Sequence, residues 1–144
     1  MYWTDWGSVA KIEKASMDGR NRTVIHDTAL TWPNALTLDY QRQVLYWADA
    51  SLDKIESSNV DGTNRRLLST VGVLHPFGLA LFDSTLYFTD WSGVSVKTVD
   101  INGSNSTTIF SGLLCTQPFG IVVVSEQKQP IGEYNESRSP VCTY

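Results

Sequence analysis

The sequence predicts an all-β chain built from repeated four-stranded antiparallel sheets set radially side by side. Three observations carry that expectation. "YWTD" at Tyr2–Asp5 returns as "YWAD" at Tyr46–Asp49 and "YFTD" at Tyr87–Asp90, at steps of 44 and 41 residues. A polar turn with a central glycine keeps the same beat, as "MDGRNR" around Gly19, "VDGTNRR" around Gly62 and "INGSNS" around Gly103. A third marker follows in each unit: "WPNALTL", "HPFGLAL" and "QPFGIVV", with prolines at Pro33, Pro76 and Pro118. Repeats of roughly 40–45 residues holding several short strands are the signature of β-propeller blades.

Taken in chain order, residues 1–26 supply strands two to four of one blade. Met1 runs straight into a strand, so the sequence reads as starting inside a blade. The middle unit is complete. "NALTLDY" places Leu36 and Leu38 on one face of a first strand, and Pro33 is harmless at its start because no ladder donor is needed there. "QVLYWADA" is the second strand and "DKIESSNV" the third. Asp61-Gly62-Thr63-Asn64 is a hairpin turn whose glycine suits positive φ, and "RRLLST" is the fourth strand. The strands are expected near residues 34–39, 44–48, 54–60 and 65–69, with the same set some 41–43 residues on. Residues 118–124 should add the inner strand of a further blade. Ile12, Ile55 and Val96 stand seven residues before the marker glycines, and Leu36, Leu79 and Ile121 three after the prolines. Both sets read as packing between adjacent blades. His26 reads as a solvated edge residue at the end of a fourth strand.

Composition narrows the function. Aromatic residues make up 11% and charged residues 18%, which fits a packed protein rather than a disordered one. A net charge of −4 argues against a nucleic-acid partner. No apolar run approaches the roughly 18–20 residues that span a bilayer; "GIVVV" at Gly120–Val124 is strand-sized. The two cysteines, Cys115 and Cys142, define no disulfide framework and leave their pairing open. Asn-x-Ser/Thr triplets stand at Asn21, Asn102, Asn105 and Asn135. Three of these fall in or beside the polar glycine turns, where glycosylation of an extracellular protein is accessible.

The motif acids Asp5, Asp49 and Asp90 recur once per blade. A short carboxylate at a strand end can accept backbone N–H bonds from the following turn, so a structural role is expected for all three. Tyr2, Trp3, Tyr46 and Trp47 read as packing of the blade body.

The order "YWTD … I … DG-x-N-R … P-x-G-L" resembles the YWTD repeats of the low-density lipoprotein receptor family, with the receptor-related and Wnt co-receptor-like members nearest in feel. The resemblance covers residues 1 to about 130. It implies a propeller of six blades, of which residues 1–130 hold about three, with repeats starting near residues 2, 46 and 87. Residues 131–144 would then be a polar linker into a truncated epidermal-growth-factor-like module beginning at Cys142. On this reading the chain is a fragment of a longer receptor; head-to-tail pairing of two copies is the other way to close a ring.

The loops that enter the inner strands carry Trp32 and Asn34, His75 and Phe77, then Gln117 and Phe119, while Trp6 and Trp91 follow their motif aspartates. Aromatics mixed with one amide suit a peptide site, pairing rigid apolar contact with a directional hydrogen bond. The resemblance implies that this face takes short asparagine-containing motifs of secreted protein or peptide ligands, at Trp6, Trp32, Asn34, His75, Phe77 and Trp91. The expected setting is the extracellular part of a cell-surface protein, with no cofactor, no metal and no catalytic residue. A nidogen-like matrix glycoprotein is one alternative. A calcium-dependent lactonase-type propeller hydrolase is another, disfavoured because Phe77 and Phe119 stand where a hard cation would need oxygen ligands.

Overall fold

The structure, a computed structural model, describes residues 1–112 and 117–125. Among these the protein is all-β, with three antiparallel sheets. Blade one holds β1 (Tyr2–Asp5), β2 (Lys11–Lys14) and β3 (Thr23–His26). Blade two holds β4 (Pro33–Asp39), β5 (Val44–Asp49), β6 (Lys54–Asn59) and β7 (Arg66–Ser69). Blade three holds β8 (Pro76–Phe82), β9 (Thr85–Asp90), β10 (Ser95–Asp100) and β11 (Thr107–Ser111). Each sheet is a simple meander, so strands adjacent in sequence are adjacent in space. The proline-led strands β4 and β8 lie beside each other. The strands fall where the repeat pattern puts them, and the turn glycines Gly19, Gly62 and Gly103 all have positive φ.

A blade inside a propeller is covered on both faces, and β5 shows how its sequence meets that demand. Leu45 and Trp47 point to one side, where they form a core with Ile12 of blade one. Tyr46 and Ala48 point to the other, joining Ile55 and the blade-three residues Leu79, Leu81, Leu86, Phe88 and Val99. Successive side chains on a strand alternate faces. A strand buried on both sides therefore reads as the near-continuous apolar run Val44–Ala48.

Ile12 and Ile55 are fully buried between blades, whereas Val96 is only half-buried. The described residues bring just the short run 117–125 to its side of blade three. That run corrects one expectation. Residues 118–124 form no strand among the described residues. The run is held by isolated side-chain bonds from Thr89 of β9 and from Trp91 just after it, and a strand requires a continuous backbone ladder. The expectations for Cys115, Cys142, Asn135 and residues 131–144 lie outside the described residues.

His26 corrects another expectation. It is buried at the seam between blades one and two, not solvated. Its Nε2 lies 3.0 Å from Ser58 Oγ of β6, and its ring stands 5.0 Å from that of Trp47. Ser58 Oγ also lies 2.9 Å from the Asn59 carbonyl, to which its hydroxyl donates. Burial and the nearby Arg65 cation hold the imidazole below its ordinary pKa.

Charged side chains fasten the seams. Arg65 donates to the carbonyls of Thr28 (2.6 Å) and Ala29 (3.1 Å) in the loop leaving blade one, and Lys54 Nζ reaches the same Ala29 carbonyl at 2.9 Å. Glu56 holds both cations, at 2.7 Å and 2.9 Å. Burial pushes the Glu56 carboxyl up, but the bonds from Arg65 and Lys54 outweigh it and leave the group below its ordinary range. At the next seam Lys97 donates to the Gly72 carbonyl at 2.7 Å and to Asp90 at 2.8 Å, Arg66 reaches the Ile101 carbonyl at 3.2 Å and Arg42 the Ser84 hydroxyl at 3.3 Å.

Candidate functional site

The motif aspartates organise the end of the blades where the inner strands begin. Asp49 closes β5 and is fully buried. Its carboxylate accepts the N–H groups of Thr31 (2.7 Å) and Trp32 (3.1 Å) from the loop entering β4, and those of Ser51 and Leu52 from the turn after β5. The N–H of Ala50 then donates to the Trp32 carbonyl at 2.9 Å. Blade three repeats the scheme. Asp90 accepts from Leu74 (3.1 Å) and Gly93 (3.2 Å), and Trp91 N–H donates to the His75 carbonyl. Among the described residues Asp5 accepts one bond, from Gly7 N–H at 2.9 Å. An acid at a strand end thus fixes the backbone of the residue two before each inner-strand core, leaving the Trp32 and His75 side chains to project at the rim.

Those side chains meet. Trp32 and His75 touch edge to face at 6.1 Å, and His75 stacks on Trp91 at 5.5 Å. Trp91 lies flat on Phe77, with ring centres 4.6 Å apart and planes 4° from parallel. Phe119 closes the row, edge-on to Phe77 at 4.9 Å and to Trp91 at 5.0 Å. Offset stacked and edge-to-face pairs are the favoured aromatic geometries, each worth about 0.5–1.5 kcal/mol beyond area burial. The centre of the row is half-buried and its two ends are open, with Trp32 44% and Phe119 57% exposed.

Hydrogen bonds set the row in place. Trp91 Nε1–H donates to the Pro118 carbonyl at 2.9 Å, and the Thr89 hydroxyl donates to the Phe119 carbonyl at 2.6 Å while accepting Gly78 N–H at 2.8 Å. Gly78 is required by proximity: a Cβ there would stand 2.6 Å from the Phe119 carbonyl oxygen. This glycine is what lets the chain carrying Phe119 lie against β8.

Asn34 lies half-buried at the start of β4, its Nδ2 donating to the Pro76 carbonyl at a long 3.4 Å. Its Oδ1 accepts no hydrogen bond among the described residues, so the rim offers a directional acceptor beside its rings. Trp6 stands apart. It is 60% exposed over an open hollow of about 310 Å³ with Thr4, Asp5 and Gly7, and no ring touches it among the described residues. The structure therefore brings together Trp32, His75, Phe77 and Trp91 with Phe119, sets Asn34 beside them, and leaves Trp6 outside the row. Phe119 was visible to sequence reasoning as a loop residue at the repeat position of Asn34 and Phe77. Its ring contacts were not.

No group of three or more His, Cys, Asp or Glu side chains is placed to hold a metal ion among the described residues. The surface chemistry of the row is apolar contact with hydrogen bonding at its edge, which suits a macromolecular ligand.

Known proteins bear on the family and the fold. The family described as low-density lipoprotein receptor repeat class B matches residues 1–40 and 43–82. The vitellogenin receptor Yl of Drosophila melanogaster is 44% identical over 97 residues, covering 67% of this chain and 5% of the receptor. A low-density lipoprotein receptor-related protein 5-like protein of Homo sapiens is 38% identical over 112 residues, covering 78% of this chain and 44% of that protein. Among solved structures, the nidogen/laminin complex matches with a TM-score of 0.76 and 32% identity over 83% of this chain and 46% of that chain. This chain thus spans less than half the length of each of these relatives. The chain belongs to the low-density lipoprotein receptor class B repeat family, folded as part of a YWTD β-propeller.

Proposed function

We propose that this chain is the ligand-binding propeller segment of an extracellular receptor of the low-density lipoprotein receptor-related type, taking secreted protein or peptide ligands on its aromatic rim. The observation that carries the reading is the unbroken row Trp32–His75–Trp91–Phe77–Phe119, pre-set by backbone bonds and open at both ends. Large rigid aromatics lose little side-chain freedom on binding, and central aromatic contacts dominate interface energies. Asn34 Oδ1 supplies the polar anchor. The relatives are receptors rather than enzymes, and their names favour a cell-surface setting. No helix among the described residues is long and apolar enough to cross a membrane.

A matrix glycoprotein is the second reading, favoured by the fit to nidogen. Both readings use the same rim, and they differ in whether the full-length protein stays on the cell or is deposited outside it. The experiment is selection of peptides from a displayed random library on the complete propeller. Selected peptides should lose affinity for Trp32→Ala and Asn34→Ala by about 1–3 kcal/mol each. Peptides that bind both variants as well as the parent would overturn the assignment of this rim.

A further inference from the structure

The turns between the third and fourth strands repeat in all three blades: Asp18-Gly19-Arg20-Asn21, Asp61-Gly62-Thr63-Asn64 and Asn102-Gly103-Ser104-Asn105. In each, the side chain at the first place accepts the N–H of the third, at 3.0 Å for Asp18, 2.9 Å for Asp61 and 3.2 Å for Asn102. The last place is an asparagine in the left-handed conformation every time, with φ of 55°, 54° and 55°. Asparagine is the side chain best suited to that backbone after glycine. Asn21 and Asn105 therefore have a backbone reason to be asparagine, and so does Asn64, which Arg66 removes from any Asn-x-Ser/Thr triplet.

Asn102 has no such reason. Its place is aspartate in the other two turns, and the turn bond needs only an oxygen, which either side chain supplies. The change to asparagine adds one chemical feature, an amide nitrogen, and creates the triplet Asn102-Gly103-Ser104. The Ser104 hydroxyl lies 2.7 Å from Asn102 Oδ1, while Asn102 Nδ2 has no hydrogen-bond partner among the described residues. In contrast, Asn21 Nδ2 donates to Ser16 Oγ at 3.2 Å and Asn105 Nδ2 to Asp100 Oδ2 at 2.7 Å. Asn102 is also exposed.

We propose that Asn102 is the N-linked glycan acceptor of the overlapping pair Asn102/Asn105, and that its glycan marks the end of the propeller opposite the aromatic rim. The inference rests on the extracellular reading above. In the transfer, Nδ2 forms a bond to the anomeric carbon of a lipid-pyrophosphate-linked oligosaccharide. The bond from that carbon to the pyrophosphate oxygen breaks, the lipid pyrophosphate leaves with the electron pair, and Nδ2 gives up one proton. The place of the glycan follows from register. Ser95 at the start of β10 pairs with Asp90 at the rim end, and Asp100 at its finish pairs with Thr85 at the far end. The turn holding Asn102 leaves β10 at that far end, so a sugar there leaves the rim open to ligand.

The test is site mapping of the full-length protein from cultured secretory cells by enzymatic deglycosylation and peptide mass spectrometry, alongside surface biotinylation. Asn102 should be occupied and Asn105 bare. Asn102→Asp restores the residue of the other two turns and so keeps the fold; it should remove one glycan from the peptide. Thr107→Ala, which breaks only the Asn105 triplet, should leave that glycan in place. A surface-labelled protein with a bare Asn102, or one whose glycan vanishes with Thr107→Ala, overturns the proposal alone. A protein that never reaches the cell exterior overturns the extracellular reading as well.

Discussion

Trp3, Glu13 and Arg22 in blade one occupy the places of Trp47, Glu56 and Arg65 in blade two. Within each blade the geometry is the same. Arg22 bonds Glu13 at 2.7 Å and lies 5.3 Å over Trp3; Arg65 bonds Glu56 at 2.7 Å and lies 5.3 Å over Trp47. What differs is the neighbour. Arg65 reaches two carbonyls of the preceding blade and its side chain is 19% exposed, whereas Arg22 meets no other blade among the described residues and is 57% exposed. The repeat sets each cluster's internal geometry, while the adjoining blade sets how far the arginine is buried and what else it holds. The same pair in the same arrangement fastens a seam in one place; in the other it stays within its own blade, with Glu13 buried and Arg22 exposed.

That contrast is sharpest at the motif acids. Asp49→Ala strips acceptors from four backbone N–H groups at a fully buried site. At about 1–3 kcal/mol for each donor left without a partner, partly relieved by water at the loop, the loss should reach roughly 3 kcal/mol or more. Secretion yield and thermal melting should both fall steeply. Asp5→Ala removes one exposed bond and should shift melting far less. Equal effects at the two positions would break the account of what a neighbouring blade adds.

The next effect in size is at the seam. Arg65→Ala leaves Glu56 with Lys54 alone and strips the Thr28 carbonyl of its donor, while Ala29 keeps Lys54, so a loss of about 2–3 kcal/mol is expected from chemical denaturation. Arg22→Ala frees no carbonyl of another blade but leaves buried Glu13 with Lys11 alone at 3.5 Å, so it should lower the midpoint by less than Arg65→Ala does. A smaller and pH-dependent effect comes from His26. Its folded pKa lies below the ordinary 6.5, so the unfolded chain binds the proton more readily. The seam is at full strength above about pH 6.5 and weakens as pH falls through and below that value. Arg65 pushes the pKa down, and Glu56 and Asp27 partly offset it. Melting temperature measured from pH 7.5 to 5.5 should fall for the parent and flatten in His26→Gln.

Much of this architecture was written in the sequence. Three markers per repeat located the strands because each answers a local demand: an acid at a strand end, a left-handed turn, a proline where no ladder donor is needed. What reached across blades was less legible. His26 sits at a strand end just before Asp27 and Thr28, and its burial against Ser58 involves a residue 32 positions away. Arg65 reads as a turn-flanking charge until the Thr28 and Ala29 carbonyls are placed beside it. The rim was legible as a set of loop aromatics, but no spacing rule reveals that Phe119 completes the row while Trp6 does not. That outcome depends on Gly78 admitting the later chain against β8.

The central claim is that the aromatic rim binds ligand while the seams hold the fold, so the two should come apart. The direct measurement is paired: affinity of the complete propeller for its library-selected peptide, and melting temperature, in Trp32→Ala and Arg65→Ala. Trp32 contributes its backbone to the turn and its ring to the rim, so its truncation should cost about tenfold or more in affinity and leave melting nearly unchanged. Arg65→Ala should lower melting while the folded fraction binds as before. If Trp32→Ala binds like the parent, or loses affinity only in proportion to lost stability, the rim is part of the scaffold and the ligand site lies elsewhere.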